Sequence, residues 1–211
     1  MTKIEKLHDA VLNGDRDTAL ATAGEALGES VDPQVLIDEA MIPAMEEVGR
    51  RFENDEYFVP ELLLSARAMK AALELINPVL RASGAGAKGR VVLGTVKGDL
   101  HDIGKNLVSA MLEGAGFEVT DLGTDVAPER FVEAVAEQNA DLLCLSALLT
   151  VTMSSMRATI EALEKAGLRD RVKVLVGGAP LSDEYADEIA ADAYADNANS
   201  AVRAAQQLMT S

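Results

Sequence analysis

The chain has 211 residues, of which 48% are hydrophobic, 26% are charged and 3% are aromatic. This length fits one domain of average size plus a smaller one. The formal net charge of -16 argues against a nucleic-acid partner, because binding to a phosphate backbone needs clustered Lys and Arg. The acidic surface either only keeps the protein soluble or steers it toward a basic protein partner.

Cysteine content and apolar patterning limit the cellular setting. Cys144 is the single cysteine, which excludes a disulfide framework, and its apolar neighbours predict an inert core position. The N-terminus has no apolar signal segment, and no apolar run approaches the length of a membrane span. We therefore expect a cytoplasmic protein without a membrane partner.

Residues 1–82 are predicted to form a bundle of four helices with short connections. Apolar residues at helical spacing predict helices over residues 2–12, 18–27, 33–52 and 61–81. Residues 83–89, Ser-Gly-Ala-Gly-Ala-Lys-Gly, have no periodicity and predict a flexible linker between two domains.

Beyond the linker, short apolar runs alternate with helical patterns. Helices are predicted between and after the apolar runs, near residues 103–113, 128–137, 153–165, 183–190 and 199–209. The alternation predicts an α/β fold for residues 90–211, a doubly wound, Rossmann-like parallel sheet with right-handed crossovers. Its five predicted strands span residues 90–96, 117–122, 141–146, 172–176 and 193–195.

The loop after the first predicted strand carries the residues with the most chemistry. Asp99 and Asp102 bracket His101, one of the two histidines in the chain. Ligands of open α/β sheets bind outside the carboxyl ends of the strands, where this loop is expected to lie. An imidazole held by a carboxylate is a metal-ligand arrangement.

Two other interpretations of this loop fail, one on spacing and one on residue type. A phosphate-binding loop would need four residues between its glycines, but five separate Gly98 from Gly104, and Asn106 stands where Ser or Thr should follow the lysine. A phosphoacceptor receiver domain needs an aspartate at the end of the third strand, where this chain has Ser146. The other loops predicted at the same edge, residues 146–152, 177–179 and 196–198, carry small or hydroxylated residues suited to a large ligand.

Asp99-x-His101-x-x-Gly104, Ser146-x-Leu148 and Gly177-Gly178 resemble the three-part signature of cobalamin-binding domains. Residues 47–52, 58–60 and 65–70 resemble the helical cap that accompanies this domain. That cap occurs in methionine synthase and in the corrinoid proteins of methanol, methylamine and methoxyaromatic methyltransferase systems. The resemblance covers essentially the whole chain.

The resemblance implies roles for individual residues. Cobalamin would bind with its own base detached, and His101 would replace that base as the lower axial ligand of cobalt. Asp99 would fix the tautomer of the imidazole, and Thr152 stands where the family has the serine of the ligand relay. Phe52, Val59 and Leu62 align with residues that cover the upper, methyl-bearing face, although ordinary bundle core is the alternative. The positions that would contact the corrin ring or the nucleotide tail are Gly98, Asp102, Gly104, Ser146, Leu148, Thr150, Gly177, Gly178 and Ala198.

The function implied by the resemblance is that of a methyl carrier in one-carbon metabolism. The cofactor would cycle between cobalt(I) and methylcobalt(III), taking a methyl group from a donor-specific methyltransferase and passing it to a tetrahydrofolate or thiol methyltransferase. A reductive activator is a further expected partner. The chain is too short to hold the barrel that activates a methyl donor, so it would be a non-catalytic or co-catalytic subunit. A cobalamin-dependent sensor and the cobalamin subunit of a radical mutase are the alternatives.

Overall fold

The computed structural model describes residues 1–83 and 88–210. Within them the chain divides into two compact units. The helical unit comprises residues 1–83 with Glu113–Gly116, and the α/β unit comprises residues 88–112 with 117–210. Of the predicted linker, residues 84–87 lie outside the described residues, and Ser83 is the last residue of a helix.

The helical unit begins with α1 (Lys3–Leu12) and α2 (Arg16–Gly28), which Thr2 and Asp15 cap at their N-termini. Helix α3 consists of three consecutive segments, Pro33–Val35, Leu36–Met41 and Ile42–Glu53. The middle segment is π-helical, a detail that the apolar pattern did not predict. Its position is explained by Pro43, which has no N–H to donate to the carbonyl four residues earlier.

Helix α4 (Val59–Ser83) supplies the long buried face of the helical unit. Leu62, Met69 and Ile76 recur at helical spacing and are fully buried. Ser65 Oγ, on the same face, donates a hydrogen bond of 3.0 Å to the carbonyl of Leu12. That carbonyl belongs to the last turn of α1, where intrahelical partners are missing, so the contact joins α4 to the end of α1.

Residues 88–210 form a five-stranded parallel sheet with the order β2-β1-β3-β4-β5. The fold class predicted from the sequence is therefore confirmed. The strands are β1 (Arg90–Thr95), β2 (Glu118–Asp121), β3 (Leu142–Ser146), β4 (Lys173–Gly177) and β5 (Ala193–Ala195). The helices are α5 (Ile103–Gly114), α6 (Pro128–Gln138), α7 (Met153–Lys165), α8 (Asp183–Glu188) and α9 (Ala198–Thr210).

One face of the sheet packs against α6, α7 and α8. Val92 and Leu143 on that face share a buried cluster with Phe131 of α6, whose ring lies where a Cβ on Gly94 would be, 2.7 Å away. Cys144 points to the opposite face and is buried, and burial raises the pKa of its thiol to about 12. A thiol with that pKa stays protonated at neutral pH, which agrees with the predicted inert core position.

The strand order reverses direction between β1 and β3, because β2 lies on one side of β1 and β3, β4 and β5 follow on the other. In open α/β sheets, such a switch point at the carboxyl edge is where ligands bind. In the part of the chain that the structure describes, no helix is long and apolar enough to cross a membrane.

Candidate functional site

The buried carboxylate of Asp99 connects the loops that follow β1 and β3. Its Oδ2 accepts hydrogen bonds from the backbone N–H groups of Leu148 (2.8 Å) and Leu149 (3.2 Å). The hydroxyl of Thr152 donates to the same oxygen at 2.7 Å. The switch point between β1 and β3 is therefore closed by a carboxylate from one loop and donors from the other.

The second oxygen of Asp99 holds His101. Its Oδ1 accepts from the backbone N–H of His101 at 3.1 Å and lies 2.7 Å from the ring atom Nδ1. With Asp99 ionised, the proton belongs on Nδ1, so Nε2 carries the lone pair. The ring itself is 50% exposed, which leaves this nitrogen on an accessible imidazole.

Two opposing effects set the protonation of Asp99. Burial raises the pKa of the carboxyl, but hydrogen bonds from Thr152, Leu148 and His101 outweigh it and hold the pKa below its usual value. Asp99 is therefore an anion at neutral pH. A fixed anion beside Nδ1 orients the imidazole and fixes its tautomer.

The loop after β1 is also fixed from the side of β2. Asp125 Oδ1 accepts from the N–H of Gly98 at 2.8 Å, and the N–H of Asp125 donates to the carbonyl of Asp99 at 2.9 Å. On the other side of His101, the hydroxyl of Thr95 donates to the carbonyl of His101 at 2.9 Å. The backbone around His101 is thus anchored to β1 and to the segment that follows β2.

Thr152 contacts the carboxylate oxygen of Asp99 that does not contact the His101 ring. Its hydroxyl oxygen lies 2.7 Å from Asp99 Oδ2 and 2.8 Å from the carbonyl of Leu149. A hydroxyl has one proton, so it donates to one acceptor at a time. The structure brings Thr152 into contact with Asp99, as the order His101, Asp99, Thr152 requires of a ligand relay.

The glycines of the predicted site differ in the space that a side chain would have at each position. Gly178 has φ +141° and a Cβ there would lie 1.8 Å from the carbonyl oxygen of Ala147, so only glycine fits for reasons internal to the fold. A Cβ on Gly177 would lie 3.0 Å from the carbonyl oxygen of Ala195. A Cβ on Gly104, three residues after His101, would meet nothing within 4 Å, so Gly104 faces open space.

Exposed apolar side chains occur in the two loops that Asp99 connects, and the sequence interpretation missed most of them. Leu100, Ile103 and Val151 are 73%, 75% and 78% exposed. Leu148, a predicted site residue, is 43% exposed. The available signal was an apolar residue on either side of His101 in a loop otherwise rich in glycine and aspartate. Such a rim suits a flat, largely apolar ligand.

The remaining predicted residues lie apart from the Asp99 network. Asp102 is exposed and accepts from Asn106 Nδ2 at 3.2 Å. Ser146 ends β3, and Thr150 is exposed in the turn Thr150–Thr152 that precedes α7. Ala198 is buried as the first residue of α9.

The predicted upper-face residues all belong to the helical unit and differ in burial. Phe52 is partly buried, Val59 is 37% exposed and Leu62 is fully buried. Leu62 therefore offers no exposed surface to a ligand in this structure. The neighbouring Phe58 is 60% exposed and was not among the predicted residues.

Comparison with known proteins identifies the family. The profile of the B12 binding domain matches residues 89–205, and a second B12 binding domain profile matches residues 3–77. The chain belongs to the B12-binding proteins. Its cofactor is cobalamin, and the resemblance to corrinoid proteins is confirmed.

Relatives of this B12-binding protein extend over its whole length. A dimethylamine corrinoid protein of Methanosarcina barkeri is 44% identical over 207 residues, which cover 98% of this chain and 97% of the relative. The crystal structure of a methanol:cobalamin methyltransferase complex from the same organism matches with TM-score 0.87 and 30% identity, over 99% of this chain and 80% of that one. A cobalamin-binding protein from Desulfitobacterium hafniense matches with TM-score 0.80 and 34% identity, over 99% of both chains.

The residues at the switch point fit cobalamin. An imidazole nitrogen with its lone pair free is a suitable ligand for cobalt, and the half-exposed ring of His101 presents one. Open space at Gly104 and the exposed apolar side chains of Leu100, Ile103 and Val151 offer room and apolar surface in the two loops that Asp99 connects.

Proposed function

We propose that this protein is the methyl-carrying corrinoid subunit of a multi-component methyltransferase. The observation that carries the proposal is the exposed imidazole of His101, oriented by an anionic and buried Asp99 in a B12-binding domain. The relatives support it, because one is a dimethylamine corrinoid protein and another belongs to a methanol:cobalamin methyltransferase complex.

When bound, cobalamin supplies a cobalt that accepts a methyl group as cobalt(I) and releases it from the methylcobalt(III) state. The protein contributes a nitrogen ligand whose availability it controls. His101 Nε2 offers the lone pair, and Asp99 holds the proton of Nδ1 at 2.7 Å. His101 would thereby be the residue that holds cobalt, and Asp99 would be the group that sets the orientation of its imidazole.

The hydrogen bonds behind Asp99 let this pair hold or release a proton. If the imidazole leaves the metal, Nε2 can be protonated, and the resulting cation stays next to the Asp99 anion. Thr152 donates to Asp99 Oδ2, so the oxygen that does not contact His101 is paired as well. Release of the imidazole would in this way be coupled to uptake of one proton by the pair of His101 and Asp99.

We propose as partners a donor-specific methyltransferase, an acceptor methyltransferase that uses tetrahydrofolate or a thiol, and a reductive activator. Support for the first comes from the methanol:cobalamin methyltransferase complex to which this chain is similar. Exposed apolar side chains around His101 are consistent with a site that both a cofactor and an enzyme partner cover in turn.

The test is electron paramagnetic resonance of the cobalt(II) protein. Reconstituted protein should show the superhyperfine splitting of one nitrogen ligand, and labelling all histidines with nitrogen-15 should change that splitting. The His101→Ala variant should lose it, whereas His8→Ala, the only other histidine, should retain it. A splitting that stays the same with the label and in the His101→Ala variant would show that His101 is not the ligand.

A further inference from the structure

Lys105 is a buried cation that the proposed mechanism does not use. It lies in the first turn of α5, four residues after His101, and its side chain is only 2% exposed. Lysine is almost never found buried without a partner, because removing an ammonium from water is costly. A cation in the first turn of a helix also faces the positive end of the helix dipole. Such a placement calls for a compensating role.

The partners of Lys105 connect β2 to the residue that follows His101. Its Nζ forms an ion pair with Asp121, the last residue of β2, and donates to Asn106 Oδ1 at 2.6 Å. Asn106 Nδ2 in turn donates to Asp102 Oδ2 at 3.2 Å. The chain of contacts therefore runs from Asp121 through Lys105 and Asn106 to Asp102, which is bonded covalently to His101.

This chain of contacts closes a ring around the loop that holds the histidine. Asp121 Oδ1 accepts from the N–H of Gly123 at 2.8 Å, which fixes the start of the segment after β2. The same segment holds Asp99 through the N–H of Asp125 at 2.9 Å. His101 thus lies between an anchor that precedes it, at Asp99, and an anchor that follows it, at Asp102.

We propose that Lys105 is a positioning residue for the imidazole of His101. It acts through Asn106 and Asp102, which keep the backbone after His101 in the register that Asp99 sets before it. Asp99 controls which nitrogen faces the cofactor, and Lys105 limits how far the ring can move away from it. This inference rests on the proposed function, because it assumes that His101 is the cobalt ligand.

Lys105→Met tests the inference with little risk to the fold. Methionine has a similar length and suits a buried position, and replacing a buried ion pair partner by an apolar side chain is tolerated best when the other charge stays solvated. Asp121 is 34% exposed and keeps its bond to Gly123, so it would not be left as a buried orphan. Lys173→Met is the control for loss of a lysine ion pair away from His101, because the more exposed Lys173 pairs with Asp192 at 3.8 Å and lies on β4, which does not neighbour β1.

The measurement is the fraction of cobalt(II) protein that shows the nitrogen superhyperfine splitting, together with amide hydrogen exchange of His101 and Asp102 in the cofactor-free protein. We expect Lys105→Met to lower the histidine-ligated fraction by about two- to tenfold, less than the about 10–100-fold loss that follows removal of a direct partner of a ligating histidine. Exchange at His101 and Asp102 should accelerate by a similar factor, and Asn106→Ala should reproduce both effects with Lys105 still paired. Lys173→Met should change neither.

The outcomes separate the two proposals. If wild-type protein lacks the splitting, the proposed function fails irrespective of Lys105. If wild-type protein has the splitting and a folded Lys105→Met variant keeps both the splitting and the exchange rates, Lys105 is only a stabilising residue and the inference is overturned. Should Lys105→Met fail to fold, Asn106→Ala decides alone, since unchanged ligation and exchange in that variant would overturn the inference equally.

Discussion

The two units of this protein fix their candidate residues by different interactions. In the α/β unit the carboxylate of Asp99 lies 2.7 Å from Nδ1 of His101 and accepts a hydrogen bond of 2.7 Å from the hydroxyl of Thr152. In the helical unit the candidates Phe52 and Leu62 are apolar and are held by packing, one partly buried and the other completely. Hydrogen bonds are directional and few, whereas packing contacts are numerous and replaceable.

The difference teaches what each unit can be expected to control. A directional network determines the state of one nitrogen, so a single change there should alter ligation sharply. If apolar side chains of the helical unit cover the cofactor, a single change there should alter reaction rates by small factors while the cofactor remains bound. The predictions below test this division, beginning with the largest expected effect.

Asp99→Asn should destabilise the α/β unit by about 3 kcal/mol. Both carboxylate oxygens of Asp99 accept hydrogen bonds, whereas the asparagine amide would place an NH2 group opposite one set of those donors. Amide hydrogen exchange of β1 and β3 measures this loss within the unit itself. Asp125→Asn is the control, since its amide oxygen can still accept from Gly98, and its cost should stay below about 1 kcal/mol. Equal effects of the two changes would contradict the network described for Asp99.

Acid should weaken the α/β unit through the same carboxylate. The pKa of Asp99 is lower in the folded protein than in the unfolded chain, so its stabilising contribution is complete above the unfolded value of about 4. That contribution disappears as the pH falls toward the lower folded pKa. Wild-type protein should therefore lose stability below about pH 4 more steeply than Asp99→Asn in urea titrations at a series of pH values. Parallel pH profiles would show that Asp99 is not the group responsible.

Gly104→Leu should lower cobalamin affinity by about 30-fold, the effect of about 2 kcal/mol of steric conflict with a ligand. The protein itself should tolerate the change, because a Cβ at Gly104 meets no atom within 4 Å. Gly28→Leu is the matched control, as Gly28 is also helical and open but belongs to the helical unit. Titration of cofactor-free protein with hydroxocobalamin would measure both. Unchanged affinity of Gly104→Leu would place the cofactor elsewhere.

Gly178 is unsuitable for this test, because any side chain there collides with Ala147.

Much of the fold and of the candidate site could be predicted from the sequence, because the patterns that indicate them lie within short segments. Continuous apolar runs such as Val91–Leu93 predict strands buried on both faces, and the spacing of Asp99 and His101 predicts a carboxylate-held imidazole. Contacts between distant segments could not be predicted, because no local pattern encodes them. Examples are the Gly178 backbone against Ala147 and the burial of Lys105 beside Asp121. The π-helical segment of α3 depends on a backbone adjustment near Pro43 that hydrophobic spacing does not record.

Thr152→Val should reduce the stability of the α/β unit by about 1.5 kcal/mol, the contribution of one hydrogen bond to a charged group. Thr152→Ser should restore most of it, because the hydroxyl remains, although serine has more rotamer freedom than threonine. If the hydroxyl also serves ligation, the histidine-ligated fraction in cobalt(II) spectra should fall in the valine variant and recover in the serine variant. A loss of stability with unchanged ligation would limit Thr152 to supporting Asp99.

Phe52→Ala should have the smallest effect and tests the helical unit directly. If Phe52 covers the upper face, the variant should transfer its methyl group to small thiols about threefold faster, a change of under about 1 kcal/mol in the barrier to access. Cobalamin affinity and the nitrogen superhyperfine splitting should not change, because His101, the proposed ligand of cobalt, lies in the α/β unit. Phe58→Ala is the control, since that ring is 60% exposed and was not assigned to the upper face.

Removal of a partly buried ring also costs stability, so circular dichroism must confirm that Phe52→Ala is folded before its reactivity is compared. Phe52→Leu separates the two effects, because leucine restores apolar volume and should bring the rate with thiols back toward wild type. A folded Phe52→Ala variant with wild-type reactivity would make Phe52 ordinary core of the helical unit. Helical packing would then have no part in controlling access to the cofactor at this position, and a docking role for the helical unit would become the better explanation.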